Sequence, residues 1–298
     1  MRYALYLGCT VPIRNMNYEL SARKVAERLG IELVDSDQFG CCGYPMKGVN
    51  HRTALLMAAR NLVVAQEMGL DIFTLCTACT GTLTEASVVL NEDEALRQEV
   101  NEELEKATGK RYNGQVKVHH IARVLYEDVG LAALRDQIKV SLNGFRFGAH
   151  YGCHYLKPSE VFEGFDDPEA PHTLDELIEV TGAEAVQYNT KLLCCGGGVL
   201  AVDEEVALAM PQAKLQELAQ AGIDALVLAC PFCDIMYEYN QRRVMRNVDP
   251  RFQLPVLFYS QVLGLAMGMS AEELGFSLNR VKSKGLATKL AALEAAKP

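Results

Sequence analysis

"MGLDIFTLCTAC" (residues 68–79) and "AGIDALVLACPFC" (residues 221–233) say the same thing twice. In the first, a helical pattern through "HRTALLMAARNLVVAQEMG" stops at Gly69, and a short apolar run, "DIFTL", then reads as a strand ending at Cys76. A second helix begins near Cys79. Upstream, residues 2–8 read as a strand, "NYELSARKVAERLG" as a helix ending at Gly30, and "IELVDSD" as another strand. Strand, helix, strand, helix, strand is the signature of a parallel sheet covered by helices. Such α/β sheets place their chemistry at the carboxyl ends of the strands.

The repeat runs through the whole chain. Cysteines stand at 9, 41, 42, 76 and 79, and again at 153, 194, 195, 230 and 233. Corresponding positions differ by 144, 153, 153, 154 and 154. "YALYLGCT" is answered by "FGAHYGCH", and "VKVHHIARVLYE" by "LPVLFYSQVLGL". Duplication explains this better than chance. The junction falls in "DQIKVSLNGFRFG", so residues 1–143 and 144–298 are expected as two domains, with a boundary near Asn143. The Glu- and Lys-rich segment 91–109 reads as an exposed helix. The segment from Ser270 onward reads as a peripheral helix or docking arm.

Composition narrows the function. With 29 basic and 38 acidic residues the formal charge is -9, and no basic block interleaved with aromatics suggests a nucleic-acid surface. The first residues lack the pattern of a signal peptide. The longest apolar stretch, residues 254–268, is too short to span a bilayer and contains Ser260 and Gln261. A cytoplasmic protein is expected, and there ten cysteines point to metal or redox chemistry rather than to disulfides.

Four uses of the cysteines compete. A tetrahedral zinc site takes four ligands, and the lone Cys9 and the doubled Cys41-Cys42 suit it poorly. Cys76-Thr-Ala-Cys79 and Cys230-Pro-Phe-Cys233 resemble redox dithiols at helix N-termini, which leaves six cysteines over. Burial as small apolar residues does not account for repeated spacing. Iron-sulfur ligation suits the pattern best, with glycines beside the thiols allowing close backbone approach.

The spacing Cys-x31-Cys-Cys-Gly-x32-Cys-x2-Cys, followed by Cys-x40-Cys-Cys-Gly-x33-Cys-x2-Cys, resembles the duplicated CCG cysteine-rich domain family, of the type found in the B subunit of heterodisulfide reductase. The resemblance implies two pseudo-symmetric Rossmann-like domains. It also implies two non-cubane [4Fe-4S] clusters, one on Cys9, Cys41, Cys42, Cys76 and Cys79, the other on Cys153, Cys194, Cys195, Cys230 and Cys233. It further implies a disulfide cleaved between the clusters, and electrons arriving from a ferredoxin-like C subunit fed by a flavin-containing A subunit. The chain itself has neither a Cys-x2-Cys-x2-Cys-x3-Cys run nor a Gly-x-Gly-x-x-Gly fingerprint. Two relatives of this function stay open. One is an electron-transfer subunit of a lactate, glycolate or glycerol-3-phosphate oxidising complex. The other is a sulfur-oxidation subunit that works on protein-bound lipoate or a persulfide.

Around the cysteines, His154 is a candidate proton donor, and Tyr44, Pro45, Pro231 and Phe232 are candidate wall residues. Arg14 and Lys157 are candidates for meeting an anionic substrate. His119 and His120 are expected to be structural.

Overall fold

A computed structural model describes residues 1–295 of the chain. Among the described residues, eight strands form two sheets of four, parallel throughout. The first contains β1 (Arg2–Tyr6), β2 (Glu32–Val34), β3 (Ile72–Thr74) and β4 (Val118–His120) in the order β2-β1-β3-β4. The second repeats that order as β6-β5-β7-β8, with β5 (Arg146–His150), β6 (Glu184–Ala185), β7 (Ala225–Leu228) and β8 (Val256–Phe258). The expected α/β class with two pseudo-symmetric sheets is what the chain adopts.

Parallel neighbours need crossovers, and the helical patterns supply them. In the first half these are α1 (Met16–Arg28), α2 (His51–Met68), α3 (Thr77–Glu92) and α4 (Glu94–Thr108). In the second they are α5 (Thr173–Glu179) and α6 (Gln212–Ala221), followed beyond β8 by α7 (Tyr259–Ala266). Helix α2 shows why its ends fall where they do. The Asn50 side chain accepts the Thr53 N–H at one end, and Gly69 takes a left-handed conformation at the other. The helix expected near Cys79 starts two residues earlier, so Cys76 is its N-cap residue and Cys79 lies in its first turn. The segment from Ser270 is less peripheral than its sequence suggests. Leu274 is fully buried, and helix α8 (Lys284–Ala295) buries Leu286 and Leu293 in the same core.

In both sheets the chain leaves the central strand to one side and returns on the other, so strand order reverses between β1 and β3 and between β5 and β7. Cys9 and Cys76 follow the first pair of strands, and Cys153 and Cys230 follow the second. These are the crevices where open parallel sheets bind ligands.

The two halves are packed closely together. Tyr18 of α1 stacks on Phe258 with centroids 3.9 Å apart and planes 6° apart. Ser21 and Ser260 share a 2.7 Å hydrogen bond, and Asn15 Nδ2 donates to Asp234 at 2.7 Å. Tyr18 Oη also donates to the carbonyl of Ala229, beside Cys230. Each of these contacts joins an element of one half to the sulfur-bearing edge, or its neighbour, in the other.

Candidate functional site

Each Cys-Cys-Gly loop is shaped by its glycine. Gly43 has φ +92 and Gly196 φ +80, a region L-residues avoid. A Cβ on Gly43 would fall 2.6 Å from the Ala54 carbonyl oxygen, and one on Gly196 would fall 2.5 Å from that of Ala207. Both loops therefore press against the first turns of a following helix, which only glycine permits. The turn then aims backbone donors at sulfur. The N–H groups of Gly43 and Tyr44 point at Cys41 and Cys42 Sγ, each at 3.5 Å. Gly196 and Gly197 do the same for Cys194 and Cys195 at 3.4 Å. Such donors favour thiolates.

The ten predicted cysteines are brought together, in two matched sets. In each, the lone cysteine is exposed (Cys9, Cys153), the first of the pair is half-buried (Cys41, Cys194), and the other three are buried. Gly8 places the Cys9 loop against Cys79, since a Cβ there would meet its Sγ at 3.0 Å, and Gly152 bears the same relation to Cys233 at 3.4 Å. Cys42 bonds with Cys41 and Cys79, and Cys194 with Cys153 and Cys195. The sets also approach each other: Cys76 and Cys230 shift one another's acidity, and a Cβ on Gly152 would lie 3.4 Å from Cys233 Sγ and 3.8 Å from Thr77 Oγ1 of the first half.

This crowding divides the sulfurs into anions and thiols. Bonds from Cys41 and Cys79, with the Tyr44 N–H, hold Cys42 down at about 3. Cys153 and Cys195, with the Gly196 N–H, hold Cys194 at about 2. Cys230 is held well below the thiol range by Cys233 and Cys76. Their partners stay protonated: Cys41 and Cys153 are raised by the very bonds they donate, and burial adds to both. Clustered soft donors of this kind suit iron-sulfur ligation. Among the described residues, no three His, Cys, Asp or Glu side chains converge as ligands of one metal ion. A four-iron cluster spreads its cysteines over several irons and needs no such point.

His154, which burial pulls below its usual range, lies beside Cys153. Its Nδ1 is 3.1 Å from Cys153 Sγ, its ring meets Tyr44 edge-on at 4.9 Å, and it packs over Gly81 of the first half. Tyr44 also meets Phe232 at 6.1 Å, so these two side chains form a wall spanning both halves. Arg14 and Lys157 are exposed, and Arg14 packs on the ring of Tyr239 at 5.6 Å. His119 packs edge-on against Tyr3, as a structural residue does. His120 is structural as well, but it reaches across to the other half. Its Nε2 is 2.9 Å from the Ala229 carbonyl, so it braces the strand end that carries Cys230.

Two anchoring residues are not among those singled out from the sequence. Asn61, fully buried, donates to the carbonyls of Cys41 and Met57 and accepts the Gly40 N–H at 2.8 Å. Lys214, also fully buried, donates to the carbonyls of Lys191 and Leu193 before the second cysteine pair. The repeat offset of 153 relates these two positions, a signal available in the sequence.

The cysteine-rich domain model named CCG matches residues 3–84 and again residues 147–238. The chain belongs to the CCG cysteine-rich domain family. This CCG protein is 37% identical over 286 residues to the B subunit of the "Ferredoxin/F(420)H(2)-dependent CoB-CoM heterodisulfide reductase" of Methanosarcina acetivorans, across 95% of this chain and 94% of that one. It is thus of the kind that serves heterodisulfide reductases as their B subunit. It is 29% identical to the "8-methylmenaquinol:fumarate reductase membrane anchor subunit" of Wolinella succinogenes, over 95% of this chain and 98% of that one. Among its own described residues, no helix is long and apolar enough to cross a membrane. A solved structure described as a hypothetical protein from Helicobacter pylori superposes with a TM-score of 0.76 over 95% of the chain, at 17% identity. The present chain covers 52% of that longer protein, and the likeness speaks for the fold alone.

Proposed function

We propose that this CCG protein is the iron-sulfur subunit of a heterodisulfide reductase-type complex, in which a disulfide is cleaved or formed between two non-cubane [4Fe-4S] clusters. Cys9, Cys41, Cys42, Cys76 and Cys79 hold one cluster within a domain ending near Asn143, and Cys153, Cys194, Cys195, Cys230 and Cys233 hold the other. The observation that carries this reading is the matched exposure of the two sulfur sets, open at Cys9 and Cys153 and buried at their other ends. When bound, the clusters would supply the two electrons that cleavage of a disulfide into two thiolates requires, one from each cysteine set. Tyr44 and Phe232 wall the space between the sites and exclude water. His154, beside Cys153 and packed over Gly81, is placed to give a proton to a departing thiolate. Electrons come from a ferredoxin-like C subunit served by a flavin-containing A subunit, in a cytoplasmic assembly.

Anaerobic purification with iron and acid-labile sulfide counting tests the reading: two four-iron clusters require about eight irons per chain. One zinc and no sulfide would refute it. Cys42→Ala should remove or convert the N-terminal cluster only, and an unchanged electron paramagnetic resonance spectrum would exclude Cys42 as a ligand.

A further inference from the structure

The two sites match in their cysteines but not in what surrounds them. The offsets relating the cysteines also relate Tyr6 to His150, Asn61 to Lys214 and Leu83 to Tyr237. In the first half these residues are neutral, and their polar groups are satisfied. Tyr6 Oη donates to the Gly40 carbonyl at 2.6 Å, Asn61 is bonded to the loop around Cys41, and Leu83 has no polar group. In the second half the same places hold an ammonium, an imidazole and a phenol.

The three act together. Lys214 Nζ lies 2.7 Å from His150 Nδ1. Burial pulls Lys214 down to about 7, against the pull of the nearby cysteine sulfurs; in its ammonium form it has only protons to give, so Nδ1 accepts and the ring proton sits on Nε2. Burial, reinforced by the Lys214 charge, holds His150 far below its usual range and keeps it neutral. Its Nε2 is fully buried and has no hydrogen-bond partner among the described residues, and the same is true of Tyr237 Oη. The two rings meet at 4.8 Å. A Cβ on Gly152 would lie 3.4 Å from Cys233 Sγ and 3.9 Å from His150 Nε2, so glycine leaves open the ground between that donor and the sulfurs. Buried donors without acceptors are costly, and nature rarely leaves one unexplained. Both belong to the surroundings of the C-terminal sulfur set: His150 shares the Gly152 space with Cys233, and the Cys195 and Cys233 sulfurs help burial keep the Tyr237 hydroxyl protonated.

We propose that Lys214, His150 and Tyr237 are positioning residues that raise the reduction potential of the C-terminal cluster above that of the N-terminal one. Reduction adds negative charge, which a buried cation and unpaired N–H or O–H donors near the sulfurs stabilise. The first electron to enter the chain therefore rests at Cys153, Cys194, Cys195, Cys230 and Cys233. The inference rests on the two-cluster reading above.

The test is a potentiometric titration of the anaerobically purified holoprotein, followed by electron paramagnetic resonance, with signals assigned through Cys42→Ala and Cys195→Ala. Two midpoints are expected, the higher one being lost or altered in Cys195→Ala. Lys214→Met and Tyr237→Phe should each lower that midpoint by at least the roughly 59 mV of a tenfold change in a one-electron equilibrium, leaving the other unmoved. Tyr237→Phe alone decides the matter if Lys214→Met does not fold, since it deletes one oxygen and keeps the ring. A merely structural Tyr237 would leave the potential where it was. The proposal is overturned if the higher midpoint belongs to the Cys42 site, or if Tyr237→Phe shifts neither signal or both. A wild-type chain without two clusters defeats the two-cluster reading instead, whereas two clusters of equal potential defeat only this inference.

Discussion

Gly43→Ala offers a graded test of how the Cys-Cys-Gly loop is built. Two costs are expected at this position. The first is backbone: φ +92 is a conformation that costs an L-residue about 1–2 kcal/mol. The second is contact, because the new methyl would lie 2.6 Å from the Ala54 carbonyl oxygen and 3.1 Å from its Cα. Those are backbone atoms of α2, which cannot swing aside, so overpacking adds about 1–3 kcal/mol. Gly30 isolates the first cost, since it has φ +68 and nothing within 4 Å of an added methyl. Gly48, with no positive φ and open space, carries neither. Thermal unfolding of the holoprotein should then rank the three. At about 2–4 °C per kcal/mol, Gly43→Ala loses about 4–20 °C, Gly30→Ala about 2–8 °C, and Gly48→Ala little or nothing. Iron content adds a second readout, falling by about half in Gly43→Ala alone if each site holds four irons. If Gly43→Ala melts no lower than Gly30→Ala, the close approach to Ala54 does not exist and the account of the loop fails.

Three further outcomes are expected. Asn61→Ala removes three buried hydrogen bonds around Cys41 and should cost about 3 kcal/mol, with iron lost from the N-terminal site; chemical denaturation and iron assay check both. Tyr18→Leu removes the stack on Phe258 and the bond to Ala229, and should destabilise by about 2–4 kcal/mol in chemical denaturation, since both contacts join the halves. Burial pulls His120 down to about 4. The unfolded chain then binds a proton below about pH 6.5 that the folded chain refuses until about pH 4, so stability falls as pH drops through that window, by about 3 kcal/mol in all. Denaturation of the apo chain between pH 4 and 7 should show this fall, and His120→Gln should reduce it by this share, the buried His150 supplying a fall of the same sign.

Local pattern made much of this legible. The helices ended near their glycines, the strands preceded their cysteines, and the two fivefold sets declared the duplication. What stayed hidden depends on contacts between residues far apart in sequence. Nothing in "NYELSARKVAERLG" says that Tyr18 will stack on Phe258, because its apolar stripe would serve any partner. His120 sits at the end of a strand that looked remote from the cysteines, and it reaches Ala229 only because the halves fold face to face. Asn61 and Lys214 were missed for a different reason. They occupy equivalent places with unlike side chains, so a search for matching letters passes over them, although a comparison of positions finds them.

The nearness of Cys76 to Cys230 has a geometric meaning. These are equivalent positions in the two repeats, and a residue that faces its own counterpart lies beside a two-fold axis. One repeat by itself would present Cys76 and its neighbours as an unfinished surface, complete only on meeting a second copy of itself. Joining the copies in one chain makes that meeting certain and removes its dependence on concentration. It also releases each copy from having to be identical to the other, the freedom that Asn61 and Lys214 have used.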